Sequence, residues 1–289
     1  MSSLFQIANY INYYLPTLRF NAREIRFPLL SDKSEPIHVI ANGPTFNDTC
    51  KYINEIPGKT MMCNFALNNF TLFVPDYYVL ADPKLMCIDP DYRGEYYNCI
   101  KESNREVDLK MMSELREKLL MVDKEMVIIC PSSLNLEHVI CNPKISWKYV
   151  NTSTYIPIAV KGALKRWKNN KVAPRIAGVP VLEIFSALHL GYKTIYLHGC
   201  EASDFFGNAN KVNQDNNMLS FVARHFYDNE KDSEIFWKDE NMLNFLRAEE
   251  ILFTSLYELQ DYSKHLNARI INMSKNSWVD CFERYIEKR

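Results

Sequence analysis

The run Ala41-Asn42-Gly43-Pro44-Thr45-Phe46 is the first place where residue types and spacing suggest chemistry. Gly43 lets the backbone turn tightly and approach a ligand. Pro44 suits the first position of a helix and Thr45 is a capping type, so the run reads as a strand end followed by a helix start. A helix start in that place offers free N–H groups to an anion. The pattern is neither the GxGxxG dinucleotide fingerprint nor the GxxxxGK[ST] phosphate loop. Polar residues recur after other apolar runs, in Cys63-Asn64, Ala81-Asp82, Cys130-Pro131-Ser132 and His198-Gly199-Cys200-Glu201 with Ser203 and Asp204 beyond. Arg175 and Gly178 stand just ahead of another apolar stretch. Polar groups that converge in this way suit the recognition of one small ligand.

Metal chemistry would call for clustered carboxylates or paired thiols. Asp89-Pro90-Asp91 has a suggestive spacing, but it follows only the weak apolar run Met86-Cys87-Ile88 and reads as a turn. The 8 cysteines include no CxxC pair. They read as buried, reduced thiols of a cytosolic protein, and no metal ligands are expected.

The elements that must position these residues alternate along the chain. Strands are expected at residues 37–41, 61–64, 77–81, 126–130, 194–198 and 268–272, each a short, nearly continuous apolar run of the kind buried on both faces of a sheet. Helices are expected at 103–121, at 179–190 before the stop signal Gly191, and at 240–266, where leucines recur at three–four spacing. Strand–helix alternation implies an α/β fold, a Rossmann-like, doubly wound and mostly parallel sheet with right-handed crossovers. In such sheets ligands bind beyond the carboxyl ends of the strands. Residues 205–240 are polar without a clear period and read as a lid or insertion. The chain thus divides into an N-terminal amphipathic segment (1–35), an α/β domain (36–204 and 241–289) and the lid (205–240).

Composition narrows the function classes. Lys plus Arg number 34 against 35 Asp plus Glu, a net charge of −1. That balance excludes nucleic-acid binding driven by bulk positive charge. With 8 Gly in 289 residues the chain is not low-complexity. No run reaches the roughly 18–20 apolar residues of a membrane span, and no signal peptide is evident. A cytoplasmic location follows. Residues 4–30 mix aromatic and aliphatic side chains with Arg19, Arg23 and Arg26. They read as a segment that covers the core, meets a second copy of the chain, or lies peripherally on the inner face of an anionic membrane.

In order, Asn42-Gly43-Pro44-Thr45, Cys63-Asn64, Cys130-Pro131-Ser132, Arg175-Ile176-Ala177-Gly178-Val179 and the run Ala187 to Gly199 (Ala-Leu-His-Leu-Gly-Tyr-Lys-Thr-Ile-Tyr-Leu-His-Gly) resemble the bacterial sialyltransferases that decorate lipooligosaccharide from CMP-sialic acid. They also resemble a related hydroxymethylpterin pyrophosphokinase-like group. The resemblance spans roughly residues 36–285. It implies a GT-A-variant α/β domain with a small lid, and an inverting, metal-independent transfer in which the CMP-sugar is a substrate and no cofactor is needed. It further implies that Asn42 and Gly43, with Pro44 and Thr45, hold the donor's phosphate and ribose, that Asn64 contacts the cytidine monophosphate, that Ser132 lies near the base, and that Arg175 and Gly178 line the donor pocket. Gly199 and Glu201 would complete the crevice. Asp82 falls where the family has an Asn. Glu201, Ser203 and Asp204 stand where the family places tyrosines. His225 in Ala223-Arg224-His225-Phe226-Tyr227 fits the His-Phe-Tyr pattern of the related group, and Tyr227 would replace a missing tyrosine.

A histidine suits the reaction, because an acceptor hydroxyl must lose a proton as it attacks and imidazole accepts one near neutral pH. The departing phosphate would be met by Arg175, Arg224 and the helix start at Thr45. His38 and His189 read as packed core residues, whereas His198 reads equally as core or site. The expected activity is transfer of an acidic sugar to a glycan acceptor such as lipooligosaccharide or capsule. The alternatives are an ATP- and Mg-dependent pyrophosphokinase using Asp82, Glu201 and Asp204, and a non-catalytic binding module of polysaccharide assembly.

Overall fold

The computed structural model describes residues 27–69, 72–95, 97, 105–152, 154–202, 211–212, 219–222, 236–240 and 242–286. Its strands are β1 (Ile37–Ile40), β2 (Lys59–Cys63), β3 (Tyr77–Val79), β4 (Met126–Pro131), β5 (Ile145–Val150), β6 (Thr194–His198), β7 (Lys211–Val212), β8 (Leu219–Val222), β9 (Phe236–Glu240), β10 (Arg269–Asn272) and β11 (Glu283–Arg284). The helices are α1 (Phe46–Thr49), α2 (Lys51–Glu55), α3 (Ala66–Asn69), α4 (Arg105–Leu120), α5 (Ala163–Lys168), α6 (Val179–His189) and α7 (Met242–His265), with a 3-10 turn at Pro83–Ile88.

Eight strands form one sheet in the order β11-β10-β6-β1-β2-β3-β4-β5. Every pairing in it is parallel. β1 lies between β2, which follows it in the chain, and β6, which comes much later. That reversal of strand order is the topological switch point of a doubly wound sheet. Strands β7, β8 and β9 form a separate antiparallel sheet within the 205–240 segment. Its lack of a readable period reflects strands of two to five residues.

The apolar runs are continuous because both faces of the sheet are covered. Ile37 and Val39 of β1, with Ala41 just beyond it, join one core with Met61, Cys63 and the α6 and α7 side chains. Ile40 joins the opposite core with Met62, Tyr78 and the α4 residues Met112, Leu115 and Leu119. Helix α6 is buried from Val181 to His189, since it lies between the sheet and α7. A helix sandwiched in this way must be apolar all round. Pro180 is tolerated in its first turn, where the missing N–H has no intrahelical partner to lose. Gly191 ends it at φ +91, and a Cβ there would fall 2.1 Å from the Ser31 carbonyl oxygen.

Helices α4, α6 and α7 and six of the parallel strands lie where the sequence pattern puts them. Strands β5 and β11 were not anticipated. β5 pairs only with β4 at the sheet edge and is half exposed, so Ile-Ser-Trp-Lys-Tyr-Val lacks a continuous apolar run. Seven of the cysteines are described, and all are free thiols. Among the described residues no helix is long and apolar enough to cross a membrane.

His189 is fully buried at the end of α6, with Nδ1 2.9 Å from the Phe27 carbonyl and Nε2 3.1 Å from the Tyr262 hydroxyl. The carbonyl can only accept, so Nδ1 carries the proton and Nε2 accepts from Tyr262. Burial lowers its pKa to about 4. The neutral ring therefore stabilises the fold fully above the unfolded value of about 6.5, and that contribution is lost as pH falls toward 4. Urea unfolding at pH 7 and pH 4 should show the advantage of the wild type over His189→Gln shrinking by about 3 kcal/mol.

Candidate active site

The carboxyl ends of β1 and β6 meet at the switch point. The Gly43 N–H donates to the Gly199 carbonyl at 2.8 Å and the Ala41 N–H to the His198 carbonyl at 3.0 Å. Gly199 has φ +61, and a Cβ on it would fall 2.5 Å from the Ala41 oxygen. A Cβ on Gly43 would lie 1.6 Å from Glu201 Oε2. The glycines are thus required by close approach, with the Glu201 carboxylate laid over the β1 turn. Its Oε1 accepts from the Thr45 N–H at 3.1 Å and from the Thr45 hydroxyl.

This geometry bears on one expectation. The Thr45 N–H, expected to receive phosphate, is met by the protein's own carboxylate, and the helix behind it, α1, is only four residues long. Glu201 is buried and serves the turn.

Two asparagines stand just beyond β1 and β2 at this edge. Asn42 Oδ1 lies 3.5 Å from the Cys63 thiol, which donates to it. Asn64, at the end of β2 with φ 46, accepts from the Ala81 N–H at 3.0 Å through its Oδ1. Asn is among the few residues that adopt this left-handed conformation readily. In both asparagines the carbonyl oxygen is engaged and Nδ2 makes no hydrogen bond to a described residue. Both are left to offer N–H donors.

A buried chain of hydrogen bonds supports the turn from within. His38 Nε2 lies 2.7 Å from the Ile56 carbonyl, His38 Nδ1 2.9 Å from His198 Nε2, and His198 Nδ1 2.9 Å from Thr49 Oγ1. Burial lowers both histidine pKa values, that of His198 to about 3. With both rings neutral, one proton arrangement satisfies the chain. His38 donates to Ile56, His198 donates to His38, and Thr49 donates to His198. His198 thereby joins His38 among the packed residues, and its ring anchors α1 to β6.

Arg175 lies on the segment before α6 and stacks over Tyr155, with 5.4 Å from its guanidinium carbon to the ring centroid. Tyr155 donates to Glu258 Oε1 at 2.9 Å. Arg175 lines a cavity of about 340 Å³ with Tyr155, Arg247, Glu250, Thr254 and other α7 residues. Neither arginine forms an ion pair among the described residues. Desolvation raises the Glu258 pKa, opposed by its bonds to Tyr155 and Ile158 and by Arg175.

Of the other expected residues, Asp82 caps the 3-10 turn by accepting from the Lys84 N–H at 2.9 Å. Ser132 is exposed at the end of β4 and donates its N–H to the Val150 carbonyl. Pro44 is exposed beside Thr45. Gly178 is the residue before α6, 3.3 Å from Leu252 Cδ1 as judged from an added Cβ. Asp89 accepts from the Asp91 N–H at 2.9 Å, as a turn requires. His225, Tyr227, Arg224, Ser203 and Asp204 lie outside the described residues. Among the described residues no group of three His, Cys, Asp or Glu side chains is arranged to hold a metal. Sequence reasoning gave no role to Cys63, Thr49 or Arg247, because no motif marks them and only their partners in the fold do.

No protein-family model matches the chain, and no curated protein matches it. Among solved structures it is similar to the sialyltransferase CstII from Campylobacter jejuni in complex with CMP-3FNeuAc, at 14% identity and a TM-score of 0.43 over 86% of this chain and 85% of that one. It is similar to the same enzyme with cytidine-5′-monophosphate, at 16% identity and 0.43 over 88% and 86%. The monofunctional α-2,3-sialyltransferase Cst-I from Campylobacter jejuni is matched at 16% identity and 0.40 over 89% and 82%.

Gly43→Ala tests the crevice. The new Cβ meets the Gly199 carbonyl at 2.4 Å as well as Glu201, so rotating one side chain gives no relief. Denaturant unfolding should show a loss of about 1–3 kcal/mol. An unchanged midpoint would mean the two turns are less closely joined than described.

Proposed function

We propose that the chain is an inverting glycosyltransferase that moves an acidic sugar, sialic acid or a related one, from a CMP-activated donor to a surface glycan such as lipooligosaccharide or capsule. The observation that carries this reading is the pair of crevice asparagines. Asn42 and Asn64 have their carbonyl oxygens tied to the protein and offer N–H donors at a switch point. Neutral donors of that kind suit the phosphate, ribose and pyrimidine oxygens of a nucleotide. The motif resemblance at Asn42–Thr45, Cys63-Asn64 and Arg175–Val179 supports the same donor.

In the reaction, the acceptor hydroxyl attacks the anomeric carbon as the bond from that carbon to the phosphate oxygen breaks. The electron pair leaves on CMP, and the hydroxyl proton passes to His225. Arg175 meets the charge that grows on the departing phosphate. Arg247, which shares its cavity, adds a second positive group. Tyr227 donates to the same phosphate. The step needs no metal, because the guanidinium and N–H groups supply the positive charge. The segment 205–240 closes over the donor as a lid. The N-terminal segment holds the protein to a membrane face or to a second copy.

The pyrophosphokinase reading asks Asp82, Glu201 and Asp204 to bind Mg, but Asp82 accepts from the Lys84 N–H and Glu201 from the Thr45 N–H, and Asp204 lies outside the described residues. Calorimetry with CMP, UDP, GDP and ATP, each with Mg²⁺ or with EDTA, separates the readings. Binding of CMP that survives EDTA is expected, as is CMP-sugar turnover that falls about 100-fold in Arg175→Ala. Binding of ATP only with Mg²⁺ would overturn the proposal in favour of the pyrophosphokinase, and binding of none in favour of a non-catalytic module.

A further inference from the structure

Residues 273–282 join β10 to β11 and pass beside the end of β6. Buried polar side chains tie them there. The Cys200 N–H donates to Ser274 Oγ at 2.9 Å. Ser277 Oγ donates to the Cys200 carbonyl at 2.6 Å, and accepts from Asn272 Nδ2 at 3.0 Å and the Val279 N–H at 3.1 Å. The Trp278 N–H donates to the Glu201 carbonyl at 2.8 Å. Arg284 gives its guanidinium to the Ser277 carbonyl at 2.6 Å. Asn272, Ser274 and Ser277 are all buried. The segment is therefore fixed to the residues that follow β6.

What this fixed segment presents outward is aromatic and acidic. Burial alternates, with Ser277 and Val279 inside and Trp278 and Asp280 outside. Trp278 is half exposed, although an indole carries a large apolar area to leave in water. Tyr257 of α7, also half exposed, donates its hydroxyl to Asp280 Oδ1 at 3.1 Å. That bond leaves Asp280 Oδ2 as an acceptor, and Asp280 forms no ion pair among the described residues. Single apolar side chains scattered on a surface call for no explanation. Here an indole, a phenol and a carboxylate are grouped, and one residue joins them to the crevice. Glu201 takes the Trp278 N–H on its backbone and lays its carboxylate over the Gly43 turn.

A pyranose has the complementary make-up. Its C–H groups give it an apolar face that can cover an aromatic ring, and its rim of hydroxyls donates to a carboxylate. The same carboxylate repels phosphates and other carboxylates, so the sugar that fits is a neutral one. We propose that Trp278 and Asp280 form a subsite for a neutral pyranose of the acceptor glycan, with the sugar face on the indole and a hydroxyl on Asp280 Oδ2. The inference rests on reading the crevice as the donor site of a glycosyltransferase.

The test uses the full chain labelled with fluorotryptophan, whose ¹⁹F spectrum carries one signal for each of the 4 Trp. The Trp278 signal is assigned by its loss in Trp278→Phe. The methyl β-glycosides of glucose, galactose and N-acetylglucosamine are titrated in turn, with N-acetylneuraminic acid as an anionic control. At least one neutral glycoside should move the Trp278 signal to saturation, and the anionic sugar should not. In saturation-transfer NMR, Trp278→Ala should weaken that glycoside about tenfold, the loss expected for the apolar area one sugar face covers. Trp278→Phe keeps a ring face and should hold most of the affinity, and Asp280→Ala should weaken the glycoside as well. CMP affinity should be the same in wild type and all three variants. A wild-type Trp278 signal that no neutral glycoside moves would overturn the inference, and that reading needs no variant to fold. So would a CMP affinity that falls about tenfold in a normally melting Trp278→Ala, which would give the indole to the nucleotide base. A wild type that binds a glycoside through Trp278 but ignores CMP would instead overturn the donor reading and leave the sugar subsite standing.

Discussion

The contact between Gly43 and Gly199 is the constraint on which the rest of the candidate site depends. Two backbone turns from distant parts of the chain approach until an N–H of one reaches a carbonyl of the other at 2.8 Å. Close approach of this kind excludes side chains at both glycines, so the polar groups come from residues one or two positions along. Asn42 and Thr45 flank the first glycine, and Glu201 follows the second by two positions. The carboxylate of Glu201 takes the space that a Cβ on Gly43 would fill. The site's shape is thus a consequence of two absent methyl groups.

Around that contact the protein spends much of its buried polarity. Glu201 grips the turn from one side, the Cys63 thiol reaches Asn42 from β2, and the His38–His198–Thr49 chain secures α1 from beneath. Each is a group that would otherwise prefer water, and each is an exception in an apolar core. Their shared effect is rigidity. A turn whose amides and hydroxyls are committed to fixed partners has little freedom left to lose when a ligand arrives. The lowered pKa values of the histidines follow from the same burial, which keeps their protons in one arrangement at neutral pH.

Much of this was legible in the chain. Strands buried on both faces announce themselves as short apolar runs, and Gly191 marks the end of α6. The polar residues after each run point to the edge where a ligand would sit. What escaped notice has a physical reason. β5 lies at an edge and shows no continuous run. The structural part of Glu201 was hidden because its identity is visible in sequence and its partner is not. Thr45 is 156 residues away, and only the crossing of the chain brings them together. Cys63 and Thr49 look like ordinary small core residues until their hydrogen-bond partners are known.

The position of β1 also governs how the chain is made. Its first neighbour, β2, emerges soon after it, but its second neighbour, β6, lies beyond five further elements or more. At about 5–20 residues per second, the ribosome would need about 8–30 s to deliver Glu201 after Thr45. Through that interval the Ile-His-Val-Ile edge of β1 has an open row of backbone donors and acceptors. The nascent chain therefore carries, for seconds, an unpaired apolar strand where the finished protein carries the Gly43 turn, and a chaperone that shields strand edges would act on it there.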